Sequence, residues 1–307
     1  MSNKFAGRDL VSIFDLTKSE ILYILKKARE LKKNPKPDLL KNKILANCFF
    51  EPSTRTKLSF EAAMLRLGGK VIGFSDSKIT STEKGESLSD SMKIMSSYAD
   101  IIVMRHPLEG SAMQAAEVSS VPVINAGDGA NQHPTQTLVD LFTIEESQSS
   151  LEDLKIAFVG DLRYGRTAHS LALGLSNFKA RMYFISPPTL SLPEEETSDL
   201  KKKGIKFSFH KSFEEVLDKV DILYMTRIQK ERIPYLEYQK LQSQFILQLP
   251  HLKKVKKNMK ILHPLPRVHE IDIDIDKTPH AYYFQQAANG VFVREAILAL
   301  FLGGNIG

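Results

Sequence analysis

Short apolar runs and helical patterns alternate along this chain, and they do so twice over, which leaves few folds open to it. Runs at 44–50, 70–74, 100–104 and 121–125 are separated by helical patterns near 54–67, 87–98 and 111–119. That alternation predicts βαβ units and a parallel sheet. A second series follows at 154–160, 181–186, 205–209, 221–226 and 260–263, with helical candidates between most of its members. The expected fold class is α/β, with two parallel-sheet, three-layer domains. Size agrees, because 307 residues exceed the roughly 250–300 at which one hydrophobic core stops growing. A helical segment near 134–147 joins the halves, and 285–302 reads as a last helix that crosses back. The expected domains are 1–134 plus 288–307, and 135–287.

At the N-terminal side, Thr17, Lys18, Ser19 and Glu20 form a capping box ahead of Ile21, Leu22, Ile24, Leu25, Ala28 and Leu31, predicting a first helix over 17–33. The longest apolar stretches, 101–104 and 296–302, fall far short of the ~20 residues that cross a bilayer. Residues 1–10 lack the apolar region and cleavage site of a signal peptide, so a cytoplasmic protein away from any membrane is expected. The single cysteine, Cys48, lies inside an apolar run and reads as a reduced core thiol. A formal charge of +6 raises the question of nucleic acid. The densest lysines (253, 254, 256, 257 and 260) have no interleaved aromatics, so they read as a solvated face. A mild positive balance also suits small anionic substrates.

In open parallel sheets ligands bind beyond the carboxyl ends of the strands, so the residues after each run matter most. The run 44–50 leads into Ser53, Thr54, Arg55, Thr56 and Lys57 at a helix start. Free amides and the helix dipole make such a start an anion site, and an arginine adds a bidentate contact to phosphate. A plain Ser or Thr N-cap fits the same stretch, although it needs one hydroxyl and no arginine. His133, before Pro134, reads either as a loop histidine satisfied by backbone or, with Gln136, as a donor aimed at a ligand. Neither an H-x-x-x-H pair nor a cysteine pair is present, so no metal is expected. The stretch from Val159 to Gly165 lacks G-x-G-x-x-G spacing, which argues against a dinucleotide. Arg166 at the next helix start suits a dicarboxylate, and Arg227 and Gln229 beyond the run 221–226 read on spacing alone as exposed charge in a mobile loop.

Residues 53–57 resemble the S-T-R-T-R signature of the aspartate and ornithine carbamoyltransferases. Met104-Arg105-His106-Pro107, Asn125 to Gly129, His133-Pro134-Thr135-Gln136, Val159 to Leu162 with Arg166, and His263-Pro264-Leu265-Pro266-Arg267 resemble further family motifs, in family order, across essentially the whole chain. The ornithine enzymes typically carry a cysteine where this chain has Pro264, and they lack a loop like Ser81 to Glu86, so the resemblance favours aspartate as acceptor. Lys57 departs from the signature, which ends in arginine; lysine cannot form the planar fork, and a structural effect rather than lost activity is expected.

The resemblance implies transfer of the carbamoyl group of carbamoyl phosphate to L-aspartate without a cofactor, in a cleft between the two domains. Matched position by position, Ser53, Thr54, Arg55, Thr56 and Arg105 bind phosphate, and Thr56, Arg105 and His133 point at the carbonyl oxygen. Gln136 and the backbone carbonyls of Pro264 and Leu265 hold the carbamoyl NH2 and orient the amine. Arg166, Arg227 and Gln229 grip the aspartate carboxylates, while Lys84, which reaches both substrates, and Ser81, which binds carbamoyl phosphate, come from the neighbouring chain of a homotrimer. A separate regulatory chain accompanies the enzymes the motifs most resemble. An ornithine or related carbamoyltransferase, and a noncatalytic scaffold of the same family, are the alternatives; retention of Arg55, Arg105, Arg166 and Arg227 argues against the second.

Overall fold

The computed structural model describes residues 4–76, 80–242 and 244–306. The chain divides into two compact units, 1–139 with 288–307, and 140–287. In the first unit a four-stranded parallel sheet runs in the order β2-β1-β3-β4, with β1 Ile44–Phe49, β2 Lys70–Phe74, β3 Ile101–His106 and β4 Val123–Asp128. Its crossovers are α2 Thr54–Arg66, α3 Leu88–Tyr98 and α4 Ser111–Val118, and α1 Lys18–Lys33 precedes β1.

The capping box at Thr17 forms as expected: Glu20 N–H donates to Thr17 Oγ1, and Thr17 N–H donates to Glu20 at 2.8 Å. Ile21, Ile24, Leu25, Ala28 and Leu31 are buried, whereas Leu22, expected on that face, is 38% exposed. One face of the sheet (Ala46, Cys48, Ile102, Met104, Val123) packs with Met92 of α3 and Ala112 and Ala115 of α4. Asn47, on the other face, donates to the Lys57 carbonyl of α2. Helices therefore cover both faces, which is why the strands read as continuous apolar runs rather than alternating ones. Burial pushes the Cys48 thiol up to about 12, as fits an inert core thiol.

The second unit holds a five-stranded parallel sheet in the order β7-β6-β5-β8-β9, with β5 Lys155–Val159, β6 Arg181–Ile185, β7 Phe207–His210, β8 Ile222–Met225 and β9 Lys260–Leu262. Ala157, Val159, Tyr183, Ile185, Leu223, Met225 and Ile261 line one core face. The chain passes into this unit along α5 Pro134–Gln148 and leaves it along α9 Tyr283–Phe301. Its own helices are α6 Arg166–Leu175, α7 Glu194–Lys202 and α8 Tyr235–Leu241. Among the described residues no helix is long and apolar enough to cross a membrane.

Candidate active site

Each sheet reverses its strand order once along the chain. In the first unit the reversal falls between β1 and β3, and in the second between β5 and β8. Ligand sites of open α/β sheets lie beyond the carboxyl ends of the strands at such a reversal. Ser53 to Thr56 follow β1 and Arg105 lies in β3, at the first reversal, and Arg166 and Arg227 follow β5 and β8, at the second; His133 and Gln136 follow β4, Pro264 and Leu265 follow β9, and Ser81 and Lys84 lie beyond the edge strand β2.

In the first unit Phe49 and Arg105 pair across β1 and β3, and Phe50 N–H donates to the Arg105 carbonyl at 2.8 Å, so the turn after β1 lies beside the Arg105 side chain's origin. Ser53 occupies the N-cap of α2, yet its hydroxyl makes no capping hydrogen bond. A hydroxyl recruited only to cap the helix would accept from the second or third amide, so the plain-cap reading loses its support here. Thr54, Arg55 and Thr56 form the first turn, where the amides have no partner inside the helix. Arg105 is largely buried and held by Glu51 at 2.6 Å. Lys57 points away from this group of residues: it pairs with Glu61 one turn along α2.

Beyond β4, the neighbour of β3, the buried Asp128 carboxylate organises the loop that carries His133 and Gln136. It accepts from Asn125 Nδ2 at 2.8 Å, Asn131 Nδ2 at 3.0 Å, Gln132 N–H at 3.2 Å and Gly110 N–H at 3.0 Å. His133 is buried, 3.5 Å from Thr135 Oγ1, and its carbonyl accepts the amides of Gln136 and Thr137. Burial pulls the His106 imidazole below its usual pKa, while Glu51 and Asp128 work in the other direction. Ser81 and Lys84 stand exposed on a 3-10 turn, Ser81–Lys84, beyond the edge strand β2. No hydrogen bond or ion pair joins Lys84 to the β1–β3 group among the described residues. The loop expected over 75–86 includes 77–79, which lie outside the described residues.

In the second unit Gly160 follows β5 at φ +117°, where an added Cβ would lie 2.2 Å from the Thr226 carbonyl oxygen. Glycine lets the ends of β5 and β8 approach this closely. Asp161, fully buried, ties the two following loops together: it accepts from Tyr164 N–H at 2.9 Å, Arg163 N–H at 3.1 Å and Gln229 N–H at 3.3 Å. Desolvation raises its pKa and these amides oppose the rise. Arg166 begins α6, whose N-cap, Gly165, offers no side chain. The Arg227 guanidinium grips Glu231 with both terminal nitrogens, which raises its pKa further despite burial. Pro264 and Leu265 follow β9, the strand beside β8.

Sequence reasoning gave no role to the acidic partners Glu51, Asp128, Asp161, Glu231 and Glu270. Glu51, Asp128, Asp161 and Glu270 take partners that strand ends and loops bring together, whereas Glu231 stands four residues after its partner Arg227. Among the described residues no group of three or more metal-ligating side chains converges.

Two family profiles match the chain: "Aspartate/ornithine carbamoyltransferase, carbamoyl-P binding domain" over residues 8–146, and the "Asp/Orn binding domain" of the same family over 152–301. The chain is 56% identical to an aspartate carbamoyltransferase catalytic subunit 2 of Shewanella halifaxensis, with 100% of this chain and 99% of the relative covered. It is similar in structure to the catalytic subunit of M. jannaschii aspartate transcarbamoylase, with a TM-score of 0.88, 52% identity, and 95% of this chain and 96% of the other covered. It is also similar to the Trypanosoma cruzi aspartate transcarbamoylase solved with carbamoyl phosphate and aspartate, with a TM-score of 0.91, 34% identity, and 98% and 97% covered. With both profiles matched over most of its length and strand-end motifs in the same order, the chain belongs to the aspartate/ornithine carbamoyltransferase family.

Proposed function

We propose that this chain transfers the carbamoyl group of carbamoyl phosphate to the amino group of L-aspartate, giving N-carbamoyl-L-aspartate and phosphate, a step of pyrimidine biosynthesis. The observation that supports the reading is the position of hydroxyl and arginine residues at both strand-order reversals, Ser53 to Thr56 with Arg105 in one unit and Arg166 with Arg227 in the other. Both substrates are anions, and each receives its own cationic group. Pro264 where ornithine enzymes carry cysteine favours aspartate, as does the name of the Shewanella relative.

The amine nitrogen attacks the carbonyl carbon, the carbon–oxygen bond to phosphate breaks, and the departing phosphate accepts the ammonium proton. No covalent bond to the protein is needed. Ser53, Thr54, Arg55, Thr56 and Arg105 hold the phosphate, and Thr56, Arg105 and His133 stabilise charge on the carbonyl oxygen. Gln136 and the carbonyls of Pro264 and Leu265 orient the carbamoyl NH2 and the amine, while Arg166, Arg227 and Gln229 bind the aspartate carboxylates. Such positioning converts a bimolecular encounter into an effectively unimolecular step. Residues 1–134 with 288–307 thus take carbamoyl phosphate, and 135–287 take aspartate. The exposed Ser81 and Lys84 serve a neighbouring copy in a homotrimer located in the cytoplasm.

Incubating the protein with carbamoyl phosphate labelled at the carbonyl carbon tests the reaction. The label should appear in N-carbamoyl-L-aspartate only when aspartate is supplied. Label appearing only in cyanate and bicarbonate, the products of spontaneous decay, would refute it.

A further inference from the structure

The loop that follows β9 is held by a buried pair outside the substrate-binding groups described above. His263 Nδ1 accepts the Leu265 N–H at 2.8 Å, so that nitrogen carries no proton and Nε2 does. Nε2–H then donates to Glu270 Oε1 at 2.8 Å. The same carboxylate also accepts from Val268 N–H at 3.1 Å and His269 N–H at 3.0 Å, so it ties the end of the loop to its beginning. His263 and Glu270 are both buried. Leu265 sits at φ +53°, a left-handed conformation that a branched side chain rarely adopts and that surrounding contacts must impose. A second clasp lies between these anchors, where Arg267 donates to Asp276 at 2.6 Å and to the Tyr283 hydroxyl at 2.9 Å.

The first unit contains a related turn with a different anchor. There His106 Nδ1 accepts the Leu108 N–H at 3.1 Å, two residues on, and Ser111 Oγ lies 2.8 Å from the same nitrogen. Both turns read His-Pro-Leu. Among the described residues, only the second hands its remaining ring proton to a buried carboxylate. That carboxylate lines a pocket with Arg227, Thr226 and Tyr238, beside the residues proposed to bind aspartate.

We propose that Glu270 is a positioning residue for carbamoyl transfer: acting through His263, it sets the left-handed turn at Leu265 and so aims the Pro264 and Leu265 carbonyls at the reacting groups. The inference rests on the reading of those carbonyls given under Proposed function. The imidazole must stay in one tautomer, since a proton on Nδ1 would face the Leu265 N–H and release the turn. Glu270 enforces that tautomer by accepting at Nε2.

Three variants separate the links. His263→Asn keeps an acceptor opposite the Leu265 N–H and loses Glu270; His263→Gln keeps a donor toward Glu270 and loses the Leu265 acceptor; Glu270→Gln weakens the tautomer control. Each is assayed for kcat and KM, and for hydrogen exchange of the Leu265 amide by NMR, with circular dichroism to establish folding. Misplacing reacting groups by about an ångström can cost on the order of 10²-fold, so Glu270→Gln and His263→Gln should lower kcat by about 10-fold or more. The KM for carbamoyl phosphate should stay near wild type. His263→Asn should retain more turnover and more Leu265 protection than His263→Gln. Equal turnover and equal protection in the two His263 variants, or wild-type kcat in folded Glu270→Gln, would overturn the proposal. An inactive wild type would instead sink the carbamoyl-transfer reading. The Leu265 amide then decides the positioning alone: protection lost in His263→Gln and kept in His263→Asn upholds it, and equal protection overturns it.

Discussion

Arg105 and Arg227 each hold a carboxylate of their own chain, Glu51 and Glu231, whereas Arg55 stands at the open first turn of α2 with the uncapped amides. That difference makes Arg55 the residue whose charge is most directly available to a phosphate. Arg55→Ala should leave the fold intact and reduce turnover by ~10²-fold or more, the usual cost of removing a donor that acts chiefly in the transition state. Steady-state kinetics at saturating substrate measure it, and wild-type turnover would remove Arg55 from the chemistry. The signature stretch was legible in the sequence because strand, turn and helix start are contiguous there. Lys57 pairs with Glu61, a relation visible as an i, i+4 spacing. By contrast, Glu270 was not legible as a partner, because it meets His263 through a loop whose path no periodicity predicts; Glu231 stands four residues after Arg227 but outside any helix.

At the scale of elements, the nine expected apolar runs all appear as parallel strands; the inner ones are buried on both faces and so read as unbroken apolar runs, whereas the edge strands β2 and β7 are half-buried to exposed. The short 3-10 turns such as Ser81–Lys84 and Leu249–Lys254 leave no periodic imprint in their few residues. The sequence also hid how closely strand ends approach. Gly160 shows this: its positive φ and the Thr226 oxygen 2.2 Å from a would-be Cβ leave no room for a side chain. Gly160→Ala should therefore lower stability by about 1–3 kcal/mol, the typical cost of a strained backbone position, read as an earlier midpoint in chemical denaturation. An unchanged midpoint would mean the β5 and β8 ends are looser than described. A second prediction concerns α9. Burial raises the Glu295 carboxyl to about 7, with Arg66 at 3.8 Å opposing the rise only in part. A carboxyl whose folded pKa exceeds its unfolded value binds its proton more tightly in the folded state. Its contribution is full below about pH 4.5 and is lost as pH rises through about 7. Glu295→Gln should thus be more thermostable than wild type at pH 8, and the gap should close toward pH 4.5. A gap independent of pH would contradict the assigned burial of that charge.

For the whole molecule, two compact units were anticipated from length and from the doubled strand series. The chain passes between them inside α5, after Val139, and returns inside α9. The assembly expected from the family gives a prediction at this scale. If Lys84 serves a neighbouring chain, the inactive variants Arg55→Ala and Lys84→Gln should complement when dissociated and reassociated together. With random mixing, roughly three-quarters of trimers are mixed and each holds one intact site in three, so activity should return to about a quarter of wild type. Mixed trimers seen by mass with no recovered activity would place Lys84 in its own chain's site. Carbamoyl transfer to aspartate is tested by offering the purified protein carbamoyl phosphate with aspartate, ornithine or N-acetylated amines in turn and measuring phosphate release. Release above the spontaneous rate is expected with aspartate alone, in step with N-carbamoyl-L-aspartate. Release with ornithine or an acetylated amine and none with aspartate would contradict it.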